Sequence, residues 1–231
     1  MSSALDMLVD KIDQLPALQG YLTEEEIVPV LQYLGIPEEN ALSLKVIGRG
    51  TRAVVLWMPN RKQILKLTRD SDDAEVCAKL IGRRMSNLLQ VSDVFAITNR
   101  VYGVIAEKLV PLGSHERELW NRGRHAIATI STEGPSYWSL LKKMGLTVAW
   151  IHIVQAALAQ ILPYEHTMQK AIANLKAILP TWTAMAEQFQ AINVTKYADI
   201  HDGNIMMRGQ HMVIVDFGTA QVASAPHIPS I

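Results

Sequence analysis

The hydrophobic pattern changes its period partway along the chain. Over residues 44–108 the apolar residues fall in short β-branched runs, at 44–47, 54–58 and 63–67, punctuated by Gly48-Arg49-Gly50 and Pro59-Asn60. Beyond Thr132, Ala, Leu, Ile and Met recur at helical spacing over 137–162, 165–179 and 181–192, with Pro163 and Pro180 as the expected breaks. Strand texture followed by helix texture restricts the chain to an α+β fold with a small antiparallel sheet and a mostly helical remainder. A length of 231 residues allows one large domain or two small lobes, at roughly 150 residues per domain. Hydrophobic residues at 49% and charged residues at 19% exclude a disordered or fibrous chain.

Three segments are expected: a helical preface at 1–43, a small sheet lobe at 44–108 and a helical lobe at 109–231. In the preface, Thr23 and Glu26 have capping-box spacing, and Ile27, Val30, Leu31 and Leu34 line one face until Gly35 and Pro37 end the helix. Packing against the next element is the expected role of that face. In the sheet lobe, acids at 70–73 open a helix expected to run on to residue 89, and strands follow near 95–98 and 102–108. Residues 109–132 read as a polar connection or substrate-facing loop, with Arg117, Arg122, Arg124 and His125 exposed. Short strands are expected again at 204–207 and 211–215.

Charge and cysteine narrow the function classes. Lys plus Arg is 22 and Asp plus Glu is 22, so there is no global attraction to nucleic acid or to an anionic membrane. Cys77 is the only cysteine, which rules out an internal disulfide and suits a reducing compartment. No targeting pattern opens the sequence, and the apolar stretch at 146–162 is too short and too interrupted to span a bilayer. A cytoplasmic protein is expected, with neither membrane nor nucleic acid as partner. The seven histidines lack metal-ligand spacing.

The chemistry-bearing residues are concentrated in three places. Gly48-Arg49-Gly50-Thr51-Arg52-Ala53-Val54-Val55 follows a strand, where glycine lets backbone N–H groups approach phosphate closely. The spacing also fits a dinucleotide fingerprint, with Asp70 as its ribose acid, but that motif requires a helix after Ala53 and the sequence continues as a strand. The glycines are therefore expected to cap a hairpin. Asp199-Ile200-His201-Asp202-Gly203-Asn204-Ile205-Met206 sets a carboxylate and a carboxamide five residues apart, and a buried strand at 213–215 delivers Asp216-Phe217-Gly218. Phosphoryl transfer requires this set: Asp199 to orient and deprotonate an acceptor hydroxyl, with Asn204 and Asp216 to hold Mg²⁺, or Mn²⁺ in its place, against the nucleotide phosphates. Lys66, ending the third strand, is placed to reach the α- and β-phosphates, with Glu75 as its expected ion-pair partner and Asp72 and Asp73 as rivals.

From Leu44 to Gly218 these motifs resemble the protein-kinase-like superfamily. The Asp-x-His-x-Gly-Asn order is similar to catalytic loops of aminoglycoside-phosphotransferase-like kinases. The octapeptide from Asp199 to Met206 looks most like the loop of early-expressed bacteriophage Ser/Thr protein kinases, which phosphorylate host proteins during takeover. The resemblance implies a minimal bilobal fold and ATP as cofactor, with Gly48, Arg49, Gly50, Thr51, Ala53, Val55 and Lys66 around the nucleotide. It further implies a hinge at 104–109, where backbone groups of Glu107 and Leu109 read adenine. Thr219 and Ser224 lie near the end of the site, where autophosphorylation is expected with neither selected over the other. Departures are visible. Ala53 replaces the third glycine, Tyr197 and Ala198 stand where many protein kinases have His and Arg, and thirteen residues follow Gly218. A small-molecule phosphotransferase and a kinase-shaped, non-catalytic inhibitor of a partner protein are the alternatives.

Overall fold

The computed structural model describes residues 3–133, 145–160 and 166–231, which fall into two compact units. The expected breaks and helix starts at 137, 163 and 165 lie outside the described residues. The first unit comprises Met1–Arg84, Leu89–Lys108 and Ala225–Ile231, and the second comprises Met85–Leu88 and Leu109–Ser224.

The first unit is built on a five-stranded antiparallel sheet of β1 (Lys45–Arg49), β2 (Ala53–Met58), β3 (Gln63–Thr68), β4 (Val91–Ala96) and β5 (Tyr102–Glu107), in the order β1-β2-β3-β5-β4. Alternation along the strands sends Val54, Leu56, Leu65, Leu67 and Ile105 to one face, where they share a core with Leu8, Ile12, Leu18, Ile27 and Leu31. These last residues belong to the preface, on helices α1 (Ala4–Asp13) and α2 (Glu24–Tyr33), with Leu18 in the connection between them. The capping box forms, with the Glu26 carboxylate accepting the Thr23 N–H at 2.8 Å, and Gly35 ends the segment at φ +61°. Tyr33 donates a hydrogen bond to Asp93 of β4 and packs on Phe95 with ring centroids 4.8 Å apart, so preface and sheet share one unit.

Helix α3 (Ser71–Leu80) is shorter than its sequence implied. Asp70 caps it, accepting the N–H groups of Asp72 and Asp73 at 3.1 and 3.3 Å, and Gly82 turns the chain out at φ +71°. At the far edge of the sheet, residues 225–231 return to β4, where the Ala96 N–H donates to the Pro229 carbonyl at 2.8 Å.

The second unit centres on α4 (Ser114–Glu133), α5 (Val148–Gln160) and α6 (His166–Ala191), with Trp182 packed on Trp120 and on Trp150 at 5.8 and 5.7 Å between ring centroids. The expected polar connection is thus a 20-residue helix. Its charges fall on one side, while Trp120, Ala126, Ile127 and Ile130 bury the other. Pro180 does not break α6. The helix runs through it because Leu175, Ile178, Trp182, Met185 and Phe189 are all buried along the same stretch. At about 1.5–3 kcal/mol per large apolar side chain, that burial outweighs the roughly 3 kcal/mol cost of an interior proline. Gly123 lets α4 approach closely, since a Cβ there would lie 2.4 Å from Ile178 Cγ2. Gly123→Val should therefore lower stability by about 1–3 kcal/mol, read as a reduced urea midpoint at unchanged m.

The remaining strands are short: β6 (Val110–Pro111), β7 (Val194–Lys196), β8 (Ile205–Arg208), β9 (His211–Ile214) and β10 (Gln221–Val222). Hairpin β8–β9 is fixed by Arg208, whose guanidinium donates to the carbonyls of Met85, Ser86 and Leu88 at 2.7–3.1 Å. Asn87 adds a bond from its side-chain amide to the Met212 carbonyl at 2.9 Å. No helix among the described residues is long and apolar enough to cross a membrane.

Candidate active site

In the first unit, the glycine motif forms the turn of the β1–β2 hairpin, closed by Gly50 N–H donating to the Ala53 carbonyl at 2.8 Å. Neither glycine has positive φ; at Gly48 a Cβ would sit 3.2 Å from the Val55 Cβ, a tight contact that would push Val55 by a few tenths of an ångström. Arg49 and Thr51 are exposed on this turn. Val55 pairs with Lys66 and Lys66 with Val104, so Lys66 shares its sheet face with these two residues, away from the preface core.

Lys66 is buried, and its Nζ lies 2.8 Å from Oδ2 of the fully buried Asp73. Asp73, rather than Glu75, is therefore the partner. The reason is helical phase: Asp73, Val76, Cys77 and Leu80 form the inward face of α3, whereas Glu75 points elsewhere and lines a cavity with Ala96, Ile97 and Thr98. At the end of the sheet, the Glu107 carboxylate accepts the Gln90 N–H at 2.7 Å, and the Glu107 N–H donates to the Gln90 carbonyl at 3.1 Å. Leu109, in the second unit, is buried.

In the second unit, Asp199, Asn204 and Asp216 are held by one network. The buried Tyr197 hydroxyl lies 2.8 Å from the Asp199 carbonyl and 2.9 Å from the Asp216 carbonyl, where it donates to both as a bifurcated bond. The Asn204 side-chain amide donates to the Asp199 carbonyl at 3.0 Å, leaving Oδ1 as the acceptor end of that side chain. Asp216 Oδ1 accepts the Gly218 N–H at 3.2 Å, which sets the carboxylate within its turn. Phe217 is fully buried against Phe189, itself packed on Tyr197. The Asp199 carboxylate remains 43% exposed. His201 Nδ1 accepts the Gly203 N–H at 3.1 Å, so the neutral ring carries its proton on Nε2, 3.5 Å from Asp199 Oδ1. A Cβ at 203 would lie 2.9 Å from that imidazole, so a larger residue there would have to displace His201.

Helix α4 supports this loop from a part of the chain read only as a polar connection: Trp120 Nε1–H donates to the Ile200 carbonyl at 3.1 Å, and Arg117 Nε lies 3.8 Å from the Asp202 carboxylate. The Thr219 hydroxyl accepts the Asp199 N–H at 3.0 Å. Gly145, at φ +71°, sits where a Cβ would meet the Tyr197 carbonyl at 2.5 Å, which in turn accepts the Leu146 N–H. Tyr197, read in the sequence only as a departure, is the hub. Tyr197→Phe should cost about 1–3 kcal/mol of stability, the penalty for removing a donor shared by two part-buried carbonyls, of which the Asp199 carbonyl keeps the Asn204 amide; a lowered urea midpoint reads it.

No protein-family model and no curated protein matches this chain. Solved structures similar to it include the GDP and kanamycin complex of APH(2")-IIia, at 13% identity over 78% of this chain and 68% of that one, with a TM-score of 0.34. A thermostable mutant of aminoglycoside phosphotransferase APH(4)-Ia in ternary complex with ADP and hygromycin B is 12% identical over 86% of this chain and 72% of that one, with a TM-score of 0.36. A further structure of aminoglycoside phosphotransferase APH(4)-Ia has 13% identity over the same shares, with a TM-score of 0.35.

Proposed function

We propose that the chain is an ATP- and Mg²⁺-dependent phosphotransferase that passes the γ-phosphoryl group to a Ser or Thr hydroxyl of a protein, with bacterial host proteins as the substrates that the octapeptide's likeness to phage kinases implies. The observation carrying this reading is the Tyr197-centred network, which holds one exposed carboxylate beside an amide oxygen and a second carboxylate. Oxygen donors of this kind fit a hard divalent cation, so Asn204 Oδ1 and the Asp216 carboxylate are the groups that would hold Mg²⁺. When bound, Mg²⁺ offsets the negative charge of the phosphates.

The chain's own residues do the rest. Asp199 accepts the hydroxyl proton as the acceptor oxygen bonds to the γ-phosphorus and the bond to the β-phosphate oxygen breaks, ADP leaving with that electron pair. His201, holding its Nε2 proton toward Asp199, keeps the carboxylate oriented. Lys66, fixed by Asp73, supplies a positive charge for the nucleotide phosphates, and the Gly48–Val55 hairpin supplies backbone N–H groups.

A small-molecule acceptor is the second reading, favoured by the six residues, 219–224, that separate Gly218 from the tail segment assigned to the first unit. A polycationic acceptor fits poorly, because Asp202 is already faced by Arg117. The test is transfer of label from γ-labelled Mg·ATP to the chain itself and to a bacterial lysate. Labelled protein bands support the protein-kinase reading. Label confined to small molecules supports the second, and nucleotide-independent capture of a partner without transfer would favour a non-catalytic inhibitor.

A further inference from the structure

A cavity of about 520 Å³ lies within the first unit, at the end of the sheet where β3 passes into α3, lined by Tyr21, Arg52, Arg69, Ser71, Arg100 and Tyr102 among others. Lys66 and Asp73 do not line it. Arg69 follows β3 with its guanidinium 4.1 Å from the ring centroid of Tyr21, a preface residue, and its N–H donates to the Arg52 carbonyl at 2.9 Å. Three guanidinium groups line this space and no carboxylate does. The one acid in contact is Asp70, 3.0 Å from Arg52 and already accepting the first N–H groups of α3. Arg69 Nε is buried without a hydrogen-bond partner, and among the described residues neither Arg69 nor Arg100 has an acidic partner. In a chain of zero formal net charge, this is a local concentration of unneutralised cations with hydroxyl donors from Ser71, Tyr21 and Tyr102 around it.

We propose that this cavity binds a small anion carrying two or more phosphoryl groups. Guanidinium forks match phosphate oxygens in pairs, Arg69 and Arg100 without acidic partners and Arg52 shared with Asp70 suit more than one phosphoryl group, and the volume exceeds what a single phosphate fills. Because Tyr21 and Arg69 meet there, the bound anion would tie the preface to the sheet. This inference does not depend on the phosphotransferase reading.

The test is calorimetric titration of inorganic pyrophosphate into the full chain without Mg²⁺. Arg100→Ser, at an exposed side chain, and Arg69→Met should each weaken binding about tenfold or more, while Lys66→Met/Asp73→Leu, which removes the ammonium together with its acid, should leave it unchanged. Arg100→Ser keeps the test sound if Arg69→Met unsettles the preface. ATP run beside pyrophosphate distinguishes a nucleotide from a free phosphate chain: tighter arginine-dependent binding of ATP identifies the former, equal binding the latter, and both support the site. Absence of binding, binding indifferent to both arginines, loss in the Lys66 pair variant, or orthophosphate binding as well as pyrophosphate would each overturn it.

Discussion

Asp199→Ala should reduce phosphoryl transfer by about 10²–10⁴-fold while leaving the fold intact. The Asp199 carboxylate is nearly half exposed, so its removal leaves no buried partner stranded. Its backbone stays in place, because the Tyr197 hydroxyl, the Asn204 amide and the Thr219 hydroxyl all bond to Asp199 main-chain groups and none to its carboxylate. Asp216→Asn tests the second carboxylate in the same assay and should lose a comparable factor, with weaker Mg²⁺ dependence as its signature. Wild-type rates in both variants would remove the proposed chemistry. Thermal unfolding within a few degrees of wild type would show that lost activity is lost chemistry.

Asp73→Ala should destabilise the first unit by about 3–5 kcal/mol, the usual penalty for leaving a buried charge without its counter-ion. Lys66 sits at 6% side-chain exposure and Asp73 at 0%, so water cannot replace the lost carboxylate. Glu75→Ala should stay within about 0.5 kcal/mol, as expected of a side chain outside that pair. Urea unfolding of the two variants separates them. Equal midpoints would return Glu75 to the role its sequence position first implied.

That pair illustrates what a one-dimensional reading could and could not deliver. Strand alternation and the Thr23–Glu26 box depend on near neighbours, and β1, β2, β3 and β5 lie close to their expected places, while β4 begins at Val91, four residues ahead of the strand expected near 95–98. The choice between Asp73 and Glu75 depends on which face of α3 meets β3, a tertiary fact. Helix α4 was hidden because Arg117, Arg122 and Arg124 dominate its composition, while the spacing of Trp120, Ile127 and Ile130 carries the helical signal. Pro180 misled in the opposite direction, since local proline cost is outweighed by burial that only the folded unit reveals. Asp199, Asn204 and Asp216 were singled out together, and one hydrogen-bond network ties all three. Tyr197 was not, because nothing in a tyrosine's position announces two carbonyls from segments 17 residues apart, at 199 and 216.

The return of residues 225–231 to β4 also governs the order in which the protein can mature on the ribosome. β4 ends the sheet order, and its outer backbone groups at Ala96 find their partners only at Pro229 and Ile231. Every residue of 109–224 is synthesised between the edge and the segment that covers it. The nascent first unit therefore waits with the Ala96 end of its edge strand unpaired, a feature prone to pair with another chain, until translation of the second unit is finished.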